Sequence, residues 1–186
     1  MMKKVIMVVI LSLLSFSVFA QRFTVSTNVI DWANYGTANA EVGFSVSQHI
    51  SLVAGGKFNG WDFSNSEHTV YNKNIVGYAG FRYWLWYVNS GLWFQFKGQY
   101  ADYHITGTWR HALDEGKAAG AGLALGYTFM LSKHVNLELG AGGWGGYLIE
   151  HNVYEDPKNL VPRPKDSGSR AFIDLDNITA AFVFVF

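Results

Sequence analysis

Four histidines and three carboxylates are the residues of this sequence best suited to chemistry. The histidines are His68, His104, His111 and His151, and the carboxylates are Asp102, Asp114 and Glu115. A hydrolase or acyl transferase needs a His base held beside a nucleophile and an orienting acid. No spacing here fixes such a set, and a histidine in a polar connection is more often solvated than catalytic. We therefore expect no enzymatic activity and no catalytic or cofactor-binding residues.

A short repeat contains two further histidines. Ser-Gln-His-Ile-Ser-Leu at 47–52 is echoed by Ser-Lys-His-Val-Asn-Leu at 132–137. Each copy stands between two alternating segments, so we interpret both as equivalent hairpin turns on one rim. Such turns lie across a barrel from each other, too far apart to share a metal ion. The sequence also has no Cys, which removes thiolate ligands and disulfides, and we expect no metal site.

Composition narrows the class of protein. Charged residues make up 15% of the chain and aromatic residues 17%, with 20 glycines. Disordered chains show the opposite balance, with many charges and few aromatics. The net charge is zero, so the chain has no basic footprint for nucleic acid, and we expect no nucleic-acid partner. The length suits one domain.

Strands must position these residues, because apolar side chains recur at every second position. Five segments alternate clearly, at 38–47, 50–59, 92–100, 119–129 and 135–142, and weaker ones at 22–32, 74–84 and 173–186 complete a set of eight. The second face is rich in Gly, Ser, Asn and Gln, and Trp and Tyr gather near strand ends, as in small membrane barrels. The predicted fold is an all-β, eight-stranded antiparallel up-and-down transmembrane β-barrel.

The connections between these strands alternate in length. Short ones are predicted at 48–49, 85–90 and 131–134, and long ones at 61–73, 104–116 and 148–171, with a short exception at 33–37. All three prolines lie in the last long connection, where they remove no hydrogen bond from the sheet. Short turns on one side and long loops on the other are the outer-membrane pattern. We interpret the long connections as extracellular loops.

Five charged residues fall on the inward face and are predicted to form a structural charge network: Glu41, Lys57, Arg82, Lys97 and Glu138. Buried charges require partners. If Ser47 opposes Ser51, Glu41 directly faces Lys57 across the hairpin, and we predict this ion pair. Arg82 and Glu138 both lie nearer the turn end and form a candidate second pair. An eight-stranded barrel is filled by its own side chains, so we favour a plug over the alternative of an ion gate.

The last strand carries a recognisable signal. Phe182, Phe184 and Phe186 occupy alternate positions up to the final residue. A terminal Phe on such a strand resembles the signal by which outer-membrane barrels reach their insertion machinery. As an edge strand this segment would expose a flat aromatic edge, whereas pairing it with the first strand removes that edge. We expect a closed barrel with the insertion machinery and outer-membrane lipid as partners.

The first twenty residues are predicted to be a cleaved secretory signal peptide. A short basic segment precedes an apolar one, and Val18-Phe19-Ala20 suits signal peptidase,. The alternative of a transmembrane anchor is disfavoured because Ser12, Ser15 and Ser17 interrupt a stretch that is short for a span,. Cleavage after Ala20 leaves 21–186 as a single barrel domain. We expect Sec export to the outer membrane of a Gram-negative cell, and a monomer.

Several motifs resemble a family of small outer-membrane proteins of Bacteroidetes, known only as a domain of unknown function. They are Thr27-Asn28, Thr37-Ala-Asn39-Ala-Glu41, Gly56-Lys-Phe-Asn-Gly-Trp61, Gly80-Phe-Arg82-Tyr-Trp84 and Gly98-Gln-Tyr-Ala-Asp-Tyr103. The architecture is similar to that of eight-stranded OmpA- and OmpX-like barrels. Family members are often found near genes for fimbriae or other surface structures, which implies an accessory or anchoring role. Gly60 stands where the family often has Pro.

Two classes of function remain open. The first is a non-enzymatic barrel with a structural, anchoring or surface-interaction role, accessory to fimbriae or other surface assembly. That role would use the loops at 61–73, 104–116 and 148–171, with a surface protein as partner. The second is a narrow channel or gated pore, or a lipid-modifying outer-membrane enzyme. The charges of the third loop are mixed in sign and give no preference for a partner.

Overall fold

The chain forms one closed antiparallel β-barrel. The computed structural model describes residues 22–65, 68–106, 112–155 and 164–186. Its elements are β1 (Phe23–Asn28), α1 (Val29–Ala33), β2 (Ala38–Ser45), β3 (Ile50–Asn59), β4 (Asp62–Asn65), β5 (His68–Trp84), β6 (Gly91–Thr106), β7 (Ala112–Met130), β8 (Val135–Glu155), β9 (Pro164–Ser167) and β10 (Ala171–Val185). The expected signal peptide at 1–20 lies outside the described residues.

Eight of these strands make up the barrel wall, in agreement with the predicted all-β fold. They follow each other in chain order as β1, β2, β3, β5, β6, β7, β8 and β10. β10 pairs with β8 on one side and with β1 on the other, where Val185 faces Thr24 and Phe182 faces Thr27. The aromatic last strand is therefore paired along its final residues rather than left as an edge. Among the described residues, no helix has the length and apolarity to cross a membrane.

The two ends of the barrel differ. One end, called the turn end, carries the connections 46–49, 85–90 and 131–134. In the first and last of these, the hydroxyls of Ser47 and Ser132 accept hydrogen bonds from the backbone N–H groups two and three residues on. The two copies of the sequence repeat thus form equivalent turns, as predicted. The opposite end is called the hairpin end.

The hairpin end corrects the prediction of long loops at 61–73, 104–116 and 148–171. β5, β6, β7 and β8 continue well past the apolar part of each strand and keep pairing with one another. β4 and β9 add short strands to β5 and β8, and Pro164 stands at the first position of β9. The predicted strands end where the apolar alternation gives way to polar residues. Backbone pairing does not depend on apolar side chains, so the strands continue beyond that point. Pro157 and Pro162 lie outside the described residues.

The first predicted strand, 22–32, is also corrected. β1 ends at Asn28, and the chain continues as the helical turn α1. Continuing the strand would have placed Asp31 on the outward face with Phe23 and Val25. The helical turn instead directs the Asp31 carboxylate inward, where Lys57 Nζ lies 2.9 Å away. The Asn28 side chain caps α1 by accepting a hydrogen bond from the Ile30 N–H,.

The outward face of the wall is apolar over the strand segments near the turn end. Its exposed large side chains include Val42, Phe44, Leu52, Phe58, Ile75, Phe81, Phe94, Phe96, Leu123, Leu125, Leu139, Phe182 and Phe184. The remaining outward positions on these segments are chiefly Gly and Ala, such as Gly77 and Ala121. Phe182, Phe184 and Phe186, the predicted C-terminal signal, all lie on this surface. The polar side chains lie inside the barrel, so the pattern of a water-soluble domain is inverted.

Candidate functional site: the barrel interior

Large aromatic side chains fill the interior, and they pack against positions occupied by glycine. Trp84 and Trp93, from β5 and β6, are each 1% exposed. Gly126 and Gly140 lie beneath the Trp93 ring, and a Cβ on either would approach its ring atoms or neighbouring backbone too closely. Gly55 makes the same room for Tyr78. The glycines that alternate along β7 and β8 therefore leave room for side chains of β5 and β6 to pack.

Arg82 lies at the centre of a buried charge network. Its NH1 is 3.1 Å from both oxygens of Glu138, and its NH2 is 2.7 Å from Glu41 Oε1. Gln95 Oε1 accepts a further hydrogen bond, and the Thr128 hydroxyl donates to Glu138. The guanidinium also lies 4.3 Å from the centroid of the Trp93 ring. One cation thus joins side chains from four strands of the wall, β2, β5, β6 and β8.

The predicted charged residues are all inward, but their pairing is different from the prediction. The predicted pair of Arg82 and Glu138 is in contact. The predicted Glu41–Lys57 pair is wrong, because Glu41 binds Arg82 and Lys57 binds Asp31. The 46–49 turn is longer than the predicted 48–49 turn, so Glu41 faces Gly55 and Asn39 faces Lys57. Lys97 is 1% exposed, with its ammonium 4.7 Å from the centroid of the Tyr78 ring.

Asp31 is the interior acid that sequence reasoning missed. It lies in the segment 22–32 that is predicted as a strand, and only the helical turn brings it inside. The signal that could have revealed it is Asn28, a favoured N-cap residue three positions earlier. Asn28 Nδ2 donates to Asp31 Oδ2 at 3.0 Å. The cap and the ion pair with Lys57 therefore hold the same carboxylate.

Residues of the family motifs hold α1 in place. The side-chain oxygen of Asn39 accepts a hydrogen bond from the Asn28 N–H, and its side-chain NH₂ group donates one to the Asn28 carbonyl. The Thr27 hydroxyl donates to Asn39 and accepts from the indole of Trp32. Asn39 thus satisfies the backbone groups of Asn28 at the point where β1 leaves the sheet. Thr27, Asn28 and Asn39 together define where β1 ends.

The segment after α1 is anchored to β3 and the residues that follow it. Asn59, 1% exposed, donates to the carbonyl of Tyr35 and to the hydroxyl of Thr37. The indole of Trp61 donates to the Gly36 carbonyl at 3.1 Å. Gly36 has φ +67°, the left-handed region that favours glycine,. These contacts keep the 34–37 connection over the hairpin side of β3.

Two cavities lie on either side of the Lys57–Asp31 pair. The inner one, about 40 Å³, is bordered by Glu41, Tyr78 and Arg82 and holds little more than a water molecule,. The outer one, about 610 Å³, opens toward the hairpin end. Lys57 and Asp31 border both cavities. The interior thus has a small cavity beneath a larger one.

One wall of the outer cavity carries a cluster around His151. Tyr103 Oη lies 3.2 Å and Asp114 Oδ1 3.3 Å from His151 Nδ1, while Arg170 NH2 lies 3.4 Å from Nε2. A guanidinium only donates hydrogen bonds, so Nε2 accepts from Arg170, and Nδ1 carries the proton and donates a hydrogen bond to Tyr103 Oη,. Burial and the Asp114 carboxylate raise the pKa of Tyr103 to about 12, against the opposing effect of Arg170. The imidazole therefore ties together β6, β7, β8 and the start of β10.

The other candidate catalytic residues are dispersed. His104 forms an exposed pair with Glu115 at 2.7 Å on the outside of the barrel, and Asp102 faces Lys117 on the neighbouring strand. His68 is the first residue of β5, and His111 lies outside the described residues. In the described part of the chain, no three His, Asp or Glu residues are grouped as a metal site. From the candidate set, the described geometry brings together two separate pairs, His104 with Glu115 and His151 with Asp114.

The fold is a closed, eight-stranded antiparallel β-barrel with an apolar outer face and a polar interior. The chain belongs to DUF3575, a family described as protein of unknown function, whose model matches residues 5–186. This confirms the resemblance to a family of unknown function. No curated protein and no solved structure matches the chain.

Proposed function

We propose that this protein is a non-enzymatic transmembrane barrel of the Gram-negative outer membrane, exported with cleavage after Ala20. Its interior is a structural plug, and its hairpin end serves an anchoring or surface-interaction role. The observation that carries this proposal is the apolar outer face. Exposed Phe, Leu, Ile and Val on seven neighbouring strands would aggregate in water, whereas lipid solvates them.

The extent of the apolar face supports a membrane setting. On β6 it runs from Leu92 to Tyr100, and Asp102 follows. At about 3.3 Å per residue and the strand tilt of about 40° usual in small barrels, such a band is roughly 20 Å tall, close to the roughly 25 Å of an outer-membrane belt. Above it the outer surface carries charge pairs, such as Lys117–Glu150 at 2.9 Å. A charged collar at this height is expected where lipid gives way to water.

Exposed Trp and Tyr residues at both borders support the same setting. At the turn end they are Tyr83, Trp86, Tyr87 and Tyr127, and at the hairpin end Trp32, Trp61, Tyr100 and Tyr147. Trp and Tyr are enriched at bilayer interfaces because their rings are apolar and their N–H or O–H groups remain wet. Two such girdles on a closed barrel are typical of the outer membrane.

The plug role follows from the interior contacts. Arg82 binds both Glu41 and Glu138, and the cavity beside them has a volume of only about 40 Å³. In planar bilayers, the folded protein should therefore show no steady conductance. Ohmic conductance that changes in a Glu41→Gln variant would overturn the plug and favour a channel.

Location and the surface role need separate tests. We expect the mature protein in the outer-membrane fraction, folded with heat-modifiable gel mobility, and recovery in the soluble periplasm would refute the membrane assignment. For the surface role, residues 153–167 are replaced by a short Gly-Ser linker, which leaves His151 and Arg170 in place. Surface assembly and adhesion should fall while the barrel stays folded. If both are unchanged and only envelope permeability alters, the interaction role fails.

A further inference from the structure

The barrel wall is incomplete beside α1. β1 pairs with β10 only from Asn28 opposite Ala181 to Thr24 opposite Val185. Among the described residues, no strand pairs with this edge of β10 between Ala171 and Ala180. The last hydrogen bonds to this edge are made by the Asn28 side chain, which donates to the Ile178 carbonyl and accepts from the Ala180 N–H. We call the strand-free stretch between the 171–178 part of β10 and α1 the lateral cleft, where α1 lies against β10 without pairing to it.

Two apolar side chains on β10 lie unusually exposed at this cleft. Ile173 is 93% and Leu175 is 89% exposed, whereas the next most exposed large apolar residue, Met130, is at 68%. Every other strand of the wall has neighbours on both sides. The missing neighbour of β10 therefore explains why the exposed fractions of Ile173 and Leu175 are so high. Both residues continue the outward apolar stripe of Ile178 and Phe182. The cleft is thus a continuation of the apolar outer face.

The outer cavity reaches this cleft. Its lining includes Asp31 and Asn34 from one lip and Phe172 and Ile173 from the other. Residues of both lips therefore border the outer cavity. Its volume of about 610 Å³ lies within the range of roughly 300–1,000 Å³ that is usual for small-molecule sites.

The cavity lining has two chemical sides. On the β7, β8 and β10 side it is apolar below the His151 cluster, with Ala118, Trp144, Leu148 and Phe172, and Asp174 lies at the β10 edge. On the α1, β3, β5 and β6 side it is polar, with the Lys57–Asp31 pair, Asn74 and Gln99. A wholly polar solute would leave the apolar wall in contact with water, and an alkane would leave the charged pair without a polar neighbour.

We infer that the outer cavity binds a single-chain amphiphile from the membrane. Its headgroup lies against Lys57, Asp31 and the amides, and its acyl chain passes Phe172 and leaves through the lateral cleft. This inference rests on the proposed membrane location, since the cleft then opens toward lipid. A fatty acid and a lysophospholipid share the required chemistry, one apolar chain with a charged head.

Native mass spectrometry of the folded protein tests this inference. The barrel in detergent is titrated separately with palmitate and with lysophosphatidylcholine, and at least one should give a retained one-to-one adduct. Ala118→Trp fills the cavity and should lower adduct occupancy at least tenfold. Ala119→Trp, the adjacent outward position on β7, is the matched control and should retain it. Which probe is retained identifies the headgroup class.

The following results distinguish a failure of the amphiphile site from a failure of the proposed membrane function. A folded wild-type barrel that retains neither probe overturns the inference, as does equal occupancy in Ala118→Trp and Ala119→Trp. If Ala118→Trp fails to fold, as judged by heat-modifiable mobility, Ala101→Phe on β6 takes its place as the filling variant. A barrel that does not insert into lipid vesicles overturns the proposed membrane function, whereas an inserted barrel without an adduct overturns the amphiphile site alone.

Discussion

Lys57 Nζ lies 2.9 Å from Asp31 Oδ1 and thereby joins β3 to α1 across the inside of the barrel. The two side chains are 13% and 14% exposed, so the pair is largely withdrawn from water. Both residues border the small inner cavity and the larger outer one. The position of α1, and hence of the lateral cleft, depends on this contact.

Replacing Asp31 with Asn should loosen α1. The change removes the anion facing Lys57 and leaves a largely buried ammonium without its partner, which costs about 1–3 kcal/mol. Thermal unfolding in detergent, followed by loss of heat-modifiable mobility, should occur at lower temperature. Asp102→Asn, on the outer surface, is the control and should leave the transition unchanged. A double variant with Lys57→Gln should recover part of the loss, and no recovery would argue against direct coupling.

Arg82→Met should be more damaging than loss of either carboxylate that it binds. It leaves Glu41 and Glu138 facing each other without a cation, and breaking a buried ion pair costs about 3–5 kcal/mol. Replacing all three, as Glu41→Gln, Arg82→Met and Glu138→Gln, should restore much of the stability. Urea unfolding in detergent measures the series, with Lys133→Gln in an exposed turn as the control. A triple variant as unstable as Arg82→Met would contradict this account of the network.

Interior and outward glycines should respond differently to alanine. A Cβ at Gly126 would meet the Trp93 ring and lie 2.5 Å from the Leu139 carbonyl oxygen, neither of which can withdraw cheaply. A Cβ at Gly98 would have only the Ala79 carbonyl oxygen within reach, at 3.9 Å. Gly126→Ala should therefore lower the unfolding temperature, and Gly98→Ala should leave it unchanged or raise it. Equal effects would show that the interior is less tightly packed than the contacts indicate.

The hairpin end should weaken in strong alkali through Tyr103. Its pKa is raised from 10.0 to about 12 by burial and by Asp114, so the folded state holds a proton that the unfolded chain releases earlier. The stability that this proton contributes is complete below about pH 10 and is lost as the pH rises toward 12. The difference in absorbance at 295 nm between the wild type and Tyr103→Phe should titrate near pH 12. A midpoint near 10 would contradict the buried cluster.

The sequence predicts the faces of the strands well because alternation reports directly which side chains share an environment. Phe94, Phe96 and Tyr100 lie outside and Gln95 and Lys97 inside, as their spacing indicates. The Arg82–Glu138 contact is also accessible from sequence, since both residues are inward and near the same end. Such inferences need only the period of a strand and the order of the strands.

The remaining features depend on geometry that alternation does not encode. The partner of Lys57 is decided by a turn of four residues instead of two, which shifts the register and leaves every side chain on its predicted face. α1 depends on the side-chain hydrogen bonds of Asn28 with Asn39, which end the pairing of β1. The length of β5 to β8 was underestimated because backbone pairing continues where the apolar pattern has stopped. The His151 cluster joins residues far apart in the sequence and has no local signature.

An arginine on the outer face tests whether lipid is the solvent of that face. Leu125 lies outward on β7 and is 55% exposed, near the middle of the apolar band. In a bilayer, Leu125→Arg should destabilise the folded barrel by about 2–4 kcal/mol, the cost of Arg near the midplane. Lys117→Arg, on the same strand in the charged collar, is the control and should cost little. Folding into vesicles, followed by urea titration, measures both variants. If the barrel works in water, Leu125→Arg should instead be neutral or improve solubility, because it replaces an exposed apolar side chain with a hydrated one.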